Sequence, residues 1–329
     1  MPMTVAVCAI VKNEGRYLLE WVAYHVAIGI DCFILYDNGS TDGSIELLTR
    51  LGRTLDITLI AWPSPSSVQS FDYSEVYDAL DQIPDHAACD WEANIWLSPQ
   101  IAAYNHALTH FGARHDWMLF VDADEFFVPV RDRSIKDVIA RCAVREEVGA
   151  IVVNEKYFGS SGRDHYEDRP VIERFTRCAP PRFDGHLHVK TLVRPSRTAL
   201  MFIHGAKLRE GATVNDVGET IEVGQHAFSP TISMYYGQLN HYSVKSREEF
   251  TLKKARGRAH VADDHIAKFA DMDDAYFQRQ DRNEDTDLSV QRFLAATLHN
   301  MMALRRHCGL ECGSDHGQTE TALSPGSAA

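Results

Sequence analysis

Two carboxylates lie one residue apart in the stretch LFVDADEFFVP, residues 119–129, directly after an aliphatic run. In an extended segment, residues i and i+2 point to the same side, so Asp122 and Asp124 are expected to share a ligand, with Glu125 on the other face. Their hard oxygens suit Mg²⁺ or Mn²⁺, either of which bridges phosphate oxygens. The alternative is structural, because an Asp-x-Asp at a strand end also caps the next turn or helix.

The elements that would position these acids alternate between strand and helix patterns over residues 1–130. Continuous apolar runs predict buried strands, and apolar residues at helical spacing that end on glycine predict helices. The strand patterns lie within 5–11, 32–42, 57–62 and 117–126, and the helix patterns within 17–29, 40–52 and 98–112. This alternation predicts an α/β fold with right-handed βαβ units and an open, doubly wound, mostly parallel sheet.

Polar residues interrupt the pattern just after three of these strands. Such sheets bind ligands at the carboxyl ends of their strands, so these residues are expected to converge on one crevice. They are Lys12, Asn13 and Glu14 after the first strand, Asp37 and Asn38 after the second, and Asp122 and Asp124 after the fourth. The sequence contains neither a GxGxxG nor a GxxxxGK[ST] loop, so a dinucleotide-binding or P-loop site lacks its fingerprint.

Composition limits the class of protein. The chain has 33 Lys and Arg residues against 46 Asp and Glu residues, a net charge of −13, which is the wrong sign for a nucleic-acid binder. Seven scattered cysteines indicate a reducing environment. No apolar stretch reaches the roughly 20 residues of a membrane span, and the N-terminus lacks a basic leader. We therefore expect a cytoplasmic protein without a transmembrane segment, which leaves a peripheral membrane contact open.

Several segments in order along the chain carry a family resemblance. They are CAIVKNEGRYLLEWVAYHVAIGIDCFILYDNGSTDGS (8–44), a helix with Gln100 and Asn105, WMLFVDADEFFVP (117–129), KYFGSSG (156–162), VIERF (171–175), KTLVRP (190–195) and NHYSVKSREEF (240–250). Together they resemble the GT-A-type nucleotide-sugar glycosyltransferases, and among them most the glycosyltransferase family 92 and glycosyl transferase family 2-like group.

The resemblance covers about residues 4–260. It implies a GT-A-like domain over 1–260. The composition and helix pattern beyond it predict a helical extension over 261–309 and a disordered tail over 310–329. The polar stretch 63–98 is predicted to be a folded insertion over the site. The implied activity is transfer of a sugar from a nucleotide-diphosphate donor, with UDP expected, to a glycan or glycolipid acceptor in polysaccharide biosynthesis.

The resemblance also implies roles for individual residues. It assigns Asp37 to the uracil and ribose of the donor, although an Asx turn in DNGS explains this residue equally well. The other expected donor contacts are Lys12, Asn13, Glu14, Asn38, Gln100 and Asp122. Asp122 and Asp124 match the motif that binds Mn²⁺ or Mg²⁺ and the diphosphate.

A downstream histidine often completes such a metal site. His241 lies ahead of a helix that opens with an S-x-x-E capping box, Ser246 to Glu249, and His204 in LMFIHGAK is its rival. A histidine near an apolar run is also often only structural. The helix after His241 carries several lysines and arginines, which suit either a solvated face or a leaving diphosphate.

The resemblance favours inversion, which needs one general base on the acceptor side. Candidates are Glu173 in VIERF, which we favour, then Asp164 and Asp168. The structural alternative for Glu173 is an ion pair with Arg177 on a helix surface. A haloacid-type phosphohydrolase is disfavoured because its aspartates would follow the first strand. A non-catalytic carbohydrate-binding or scaffold protein of the same fold remains the second hypothesis.

Overall fold

The computed structural model describes residues 2–62, 99–223, 228–256 and 273–310. Its helices are α1 Gly15–Ala27, α2 Ser44–Leu51, α3 Pro99–Phe111, α4 Ile135–Cys142, α5 Val171–Arg174, α6 Arg247–Arg256, α7 Asp274–Gln280 and α8 Leu294–His307. Its strands are β1 Val5–Val11, β2 Cys32–Asp37, β3 Asp56–Ala61, β4 Trp117–Phe120, β5 Glu125–Pro129, β6 Val148–Tyr157, β7 Arg177–Cys178, β8 Val189–Val193, β9 Thr198–Met201, β10 Ala206–Leu208, β11 Ala212–Val214, β12 Gly237–His241 and β13 Asp285–Thr286. The predicted insertion over 63–98, and the predicted tail beyond residue 310, lie outside these ranges.

The first half of the central sheet is parallel, as predicted. Its strands lie in the order β3-β2-β1-β4, and β1 pairs in parallel with both β2 and β4. Every residue of β1 is buried because its two faces are covered by different helices. The odd-numbered residues of β1 pack with α1, and the even-numbered ones pack with α3. This double coverage explains the continuous apolar sequence of the strand.

The second half of the sheet is mixed, so the prediction of a mostly parallel sheet fails there. The order continues β4-β8-β6-β12-β5, with β8 antiparallel to both of its neighbours and β5 antiparallel to β12. Only residues 121–124 separate β4 from β5. A parallel crossover needs a dozen or more residues, so β5 cannot pair in parallel with β4. It pairs with β12 instead.

The described C-terminal residues, 273–310, pack against the rest of the fold. Helix α8 lies along α1, and strand β13 pairs with β7. Lys156 of β6 forms an ion pair with Asp287 that is largely shielded from solvent. Within residues 273–309, the described part of the expected helical extension, there are two α-helices and one short strand. In the part of the chain that the structure describes, no helix has both the length and the apolar character to cross a bilayer.

Candidate functional site

The carboxyl ends of β1 and β2 are tied together by short polar contacts. Asn13 has a positive φ of 53°, and its side-chain oxygen accepts from the N–H of Thr41 at 2.7 Å. The N–H of Asn13 donates to the hydroxyl of Ser40 at 2.9 Å. The Asp37 carboxylate accepts from the N–H groups of Gly39 and Ser40, each at 3.1 Å. The Asx turn is therefore present at Asp37, and a role in nucleotide binding stays a prediction.

Three more of the expected donor-binding residues lie at the same edge. Lys12 follows β1 and is half-buried. Glu14 is buried at the start of α1, and its N–H donates to the Ser44 hydroxyl at 3.2 Å. The Asn38 amide donates to the carbonyl of Trp62 at 3.2 Å, which links the ends of β2 and β3. The ends of β1, β2 and β3 therefore lie next to one another, and a crevice shared with Asp122 and Asp124 stays a prediction.

Asp122 and Asp124 lie in a turn rather than in an extended segment. The N–H of Glu125 donates to the carbonyl of Asp122 at 3.1 Å, so the argument from i and i+2 spacing does not apply. Asp122 accepts from the Gln100 amide at 2.6 Å and from the Lys190 ammonium at 2.9 Å. Burial has the largest single effect and favours the neutral acid, but the charge and hydrogen bond of Lys190, together with His204, hold the pKa of Asp122 below its usual value.

Asp124 faces a different set of partners. Its Oδ2 binds the Lys253 ammonium, and its Oδ1 lies 3.9 Å from Nε2 of His241. Burial opposes ionisation of this carboxyl, yet Lys253 and then His241 hold the pKa of Asp124 well below its usual value. Lys253 also donates to the carbonyl of Ser243 at 2.8 Å. Asp124 therefore lies between a lysine and one of the two candidate metal-binding histidines.

Glu125 points into this cluster, contrary to the expectation that it occupies the other face. Its side chain has no exposed surface, and its Oε2 accepts from the N–H of Asp122 at 2.8 Å. Lys190 lies 3.4 Å away, and Oε1 has no hydrogen-bond partner. Burial raises the pKa of Glu125 to about 8 against the opposing charge of Lys190. The turn changes the side-chain directions, which is why the prediction for an extended strand was wrong.

Glu155 joins both candidate histidines and was not singled out from the sequence. Its Oε2 lies 3.0 Å from Nδ1 of His241, and its Oε1 lies 3.3 Å from Nδ1 of His204. Burial disfavours a charged His241, but the bond to Glu155 raises its pKa to about 9. The signal was the carboxylate near the end of the apolar run VGAIVV, just before KYFGSSG. The role of Glu155 becomes visible only in the folded sheet, where the pairing of β12 with β6 and β5 brings His241 next to it.

The donor set around His241 fits a divalent cation. Among the described residues, Glu125, Glu155 and His241 offer ligand atoms that all lie within 4.8 Å of one another. The unpartnered Oε1 of Glu125 is one of the oxygens available there. Carboxylate oxygens with one imidazole suit Mn²⁺, and the oxygens alone suit Mg²⁺. A metal on His241 requires neutral imidazole, so its binding would displace a proton.

A cleft of about 540 Å³ opens beside Asp124. It is lined by Asn13 and Tyr17 on one side and by Lys245 and Lys253 on the other. The Lys245 ammonium lies 4.4 Å from the centre of the Tyr17 ring. The cleft therefore joins the end of β1 to a basic wall provided by α6 and the residues just before it.

The first two of the three candidate general bases, Glu173 and Asp164, contact other partners. Glu173 in α5 forms an ion pair with Arg169 at 2.5 Å, rather than with Arg177. Asp164 is exposed, and its carbonyl accepts from the N–H of Glu248 at 2.9 Å. Neither contact involves the cluster around Asp124. Their catalytic role stays a prediction.

The sequence profile of Glycosyltransferase family 92 matches residues 1–275. The chain belongs to glycosyltransferase family 92. A family 92 protein of Oryza sativa subsp. japonica is 25% identical over 266 residues, covering 79% of this chain and 37% of that protein. A family 92 protein of Arabidopsis thaliana is 23% identical over 236 residues, covering 68% and 34%. The chain thus spans about a third of the length of the curated family 92 relatives it matches.

Solved structures show partial similarity. S. aureus TarS 1-349 in complex with UDP has a TM-score of 0.33 and 17% identity, covering 59% of this chain and 47% of that one. Glucosyl-3-phosphoglycerate synthase from Mycobacterium tuberculosis, in complex with Mg²⁺ and uridine-diphosphate, has a TM-score of 0.27 and 13% identity, covering 60% and 58%. Scores this low do not establish a shared fold, so family membership of this chain rests on the sequence match.

Proposed function

We propose that this family 92 chain transfers a sugar from a nucleotide-diphosphate donor, with UDP as the expected nucleotide, to a hydroxyl of a glycan or glycolipid. We further propose a GT-A-type fold, dependence on Mn²⁺ or Mg²⁺, and inversion at the sugar carbon. One observation carries this proposal. Asp124 lies 3.9 Å from His241 and binds Lys253, which lines a cleft whose other wall includes Asn13 at the end of β1.

The donor would lie along the carboxyl ends of the strands. Asp37 and Asn13, which shape the ends of β2 and β1, are the proposed contacts of the nucleoside. Asp122, Asp124 and His241 are the proposed metal ligands, with Glu125 and Glu155 as neighbouring donors. When bound there, a divalent cation would neutralise charge on the diphosphate as the sugar bond breaks. Lys245 and Lys253 lie where they can add positive charge on the cleft side.

The acceptor needs one group to remove its proton. As the acceptor oxygen bonds to the anomeric carbon, the bond from that carbon to the diphosphate oxygen breaks, and the base takes the proton. Glu173 is the proposed base, with Asp164 as the second candidate. In the structure its carboxylate pairs with Arg169, a contact it would have to exchange for the acceptor hydroxyl.

A screen of nucleotide sugars for metal-dependent nucleotide release tests the proposal. Wild-type protein should release nucleotide from one donor only in the presence of Mn²⁺ or Mg²⁺. Asp124→Asn should abolish release because it removes a charged oxygen ligand. The control is Glu210→Gln, whose carboxylate is 70% exposed and lies away from the cluster. This variant should match wild type.

The second hypothesis, a non-catalytic carbohydrate-binding or scaffold protein, predicts a different result. No donor would be turned over by the folded protein with any metal, and Asp124→Asn would bind the same glycans as wild type. If Asp124→Asn released nucleotide as fast as wild type, the acidic motif would have only a structural role as a turn.

A further inference from the structure

Asp122 and Asp124, the two aspartates of the acidic turn, each form an ion pair with a different lysine. Lys190 donates to Asp122 and lies 3.4 Å from Glu125, whereas Lys253 binds Oδ2 of Asp124. A divalent cation ligated by Asp124 competes with the Lys253 ammonium for the negative charge of the same carboxylate. The ion pair between Lys253 and Asp124 therefore opposes metal binding.

The two lysines differ in their freedom to move. The Lys190 side chain has no exposed surface and is enclosed within the central sheet on β8. The Lys253 side chain is 22% exposed and lines the cleft next to Lys245. A lysine carries its charge on a flexible four-carbon stem, so the Lys253 ammonium can reach into the cleft by rotating its own side chain. Lys190 has no comparable space.

The helix that carries Lys253 is itself fixed. Glu249 lies one turn before Lys253, on the same face of α6. Its carboxylate binds the Arg174 guanidinium at 2.8 and 2.9 Å, with both side chains only 1% exposed. Ser246 adds a hydrogen bond of 2.6 Å at the start of the helix. A change of partner at Lys253 is therefore a side-chain rotation that leaves the helix in place.

We propose that Lys253 is an exchangeable counter-ion of Asp124. It holds this carboxylate while the cleft contains no nucleotide, and it moves onto the diphosphate oxygens when a nucleotide and a divalent cation bind together. The inference rests on the proposed function, because the diphosphate is the group that receives the ammonium. It adds that metal and nucleotide promote each other's binding, by the same factor in each direction.

Direct binding measurements test the exchange without any turnover assay. Mn²⁺ affinity is measured by titration with and without UDP, and UDP affinity is measured with and without Mn²⁺. Replacing one charge-assisted contact changes affinity by about tenfold or more. Lys253→Met should therefore bind Mn²⁺ alone about tenfold more tightly than wild type, and should bind UDP at saturating Mn²⁺ about tenfold more weakly.

Two further variants separate the role of this side chain from general effects. Lys254→Met removes the same charge from the exposed next position of α6 and should behave as wild type. Lys253→Arg keeps the charge and should keep most of the coupling between Mn²⁺ and UDP. Circular dichroism spectra confirm that each variant is folded before its affinities are compared.

Three results would contradict the inference in distinguishable ways. Unchanged Mn²⁺ affinity in Lys253→Met, with UDP binding intact, overturns the exchange alone. If Lys253→Met and Lys254→Met change the Mn²⁺ and UDP affinities equally, the change comes from long-range charge, and the exchange is again overturned. If wild type binds no UDP at any Mn²⁺ concentration, the proposed function itself fails.

Discussion

The buried ion pair between Arg174 and Glu249 supports a quantitative stability prediction. Removing the cation with Arg174→Met leaves the Glu249 carboxylate inside the protein with three hydrogen-bond donors, the Ser246 and Tyr17 hydroxyls and the Ser246 N–H, and without its buried cation. Breaking a buried pair in this way costs about 3–5 kcal/mol, whereas whole domains are stable by only about 5–15 kcal/mol. We therefore expect a large loss of stability from this single substitution.

The double variant Arg174→Met with Glu249→Leu should be more stable than Arg174→Met. Replacing both charges with apolar side chains is close to neutral in itself. Three donors, the Ser246 and Tyr17 hydroxyls and the Ser246 N–H, then lose their acceptor, at about 1 kcal/mol each. The expected total cost is thus about 3 kcal/mol, at the lower end of the range for Arg174→Met.

Urea denaturation followed by tryptophan fluorescence measures these differences. Arg169→Met is the matched control, because its pair with Glu173 is 51% and 28% exposed and should contribute less than about 1 kcal/mol. The reasoning is refuted if Arg174→Met costs as little as the control. It is also refuted if the double variant loses the sum of the two single losses, since the pair would then carry no coupling.

Two further predictions concern titratable groups. Burial raises the pKa of Glu20 to about 7, whereas its ordinary value is 4.5. Between these two pH values the Glu20 carboxyl is therefore protonated in the folded state and ionised in the unfolded state. Relative to Glu20→Gln, the wild-type free energy of unfolding should therefore fall by about 3 kcal/mol as pH rises from 4.5 to 7, and pH-dependent urea titrations that show no such fall contradict it. His241→Ala should weaken Mn²⁺ binding, while His204→Ala should act mainly on stability, and calorimetric loss of metal affinity in His204→Ala alone reverses this assignment. Because the pKa of His241 is raised to about 9, wild-type metal affinity should also rise with pH up to that value.

Local patterns in the sequence were sufficient for the first half of the fold. Apolar runs marked β1, β2 and β3, and capping residues with glycines placed α2 and α3 within a few residues of their observed bounds. The residues at the ends of β1 and β2 also contact each other, because parallel neighbours end at the same edge of the sheet. These predictions depend on interactions within short segments or between successive elements.

The inner part of the site depends on pairings between distant strands, which local patterns do not contain. Glu125 was misplaced because its backbone direction is set by a turn, and Glu155 was missed because its partners follow much later in the chain. Lys190 was noticed only as part of KTLVRP, although it is the buried counter-ion of Asp122. Strand register decides which side chains meet, and here it is set by long-range contacts.

The position of β12 between β6 and β5 has a consequence for how the protein folds. His241 lies opposite Glu125 on one side and Tyr157 on the other, and its partner Glu155 is 86 residues away in the chain. A long loop must therefore close before the histidine reaches the carboxylates, and such non-local contacts form slowly. An early intermediate that contains only the parallel strands β1 to β4 would lack the cation site. A chain that stalls before β12 pairs with β6 and β5 would therefore lack the group of Glu125, Glu155 and His241.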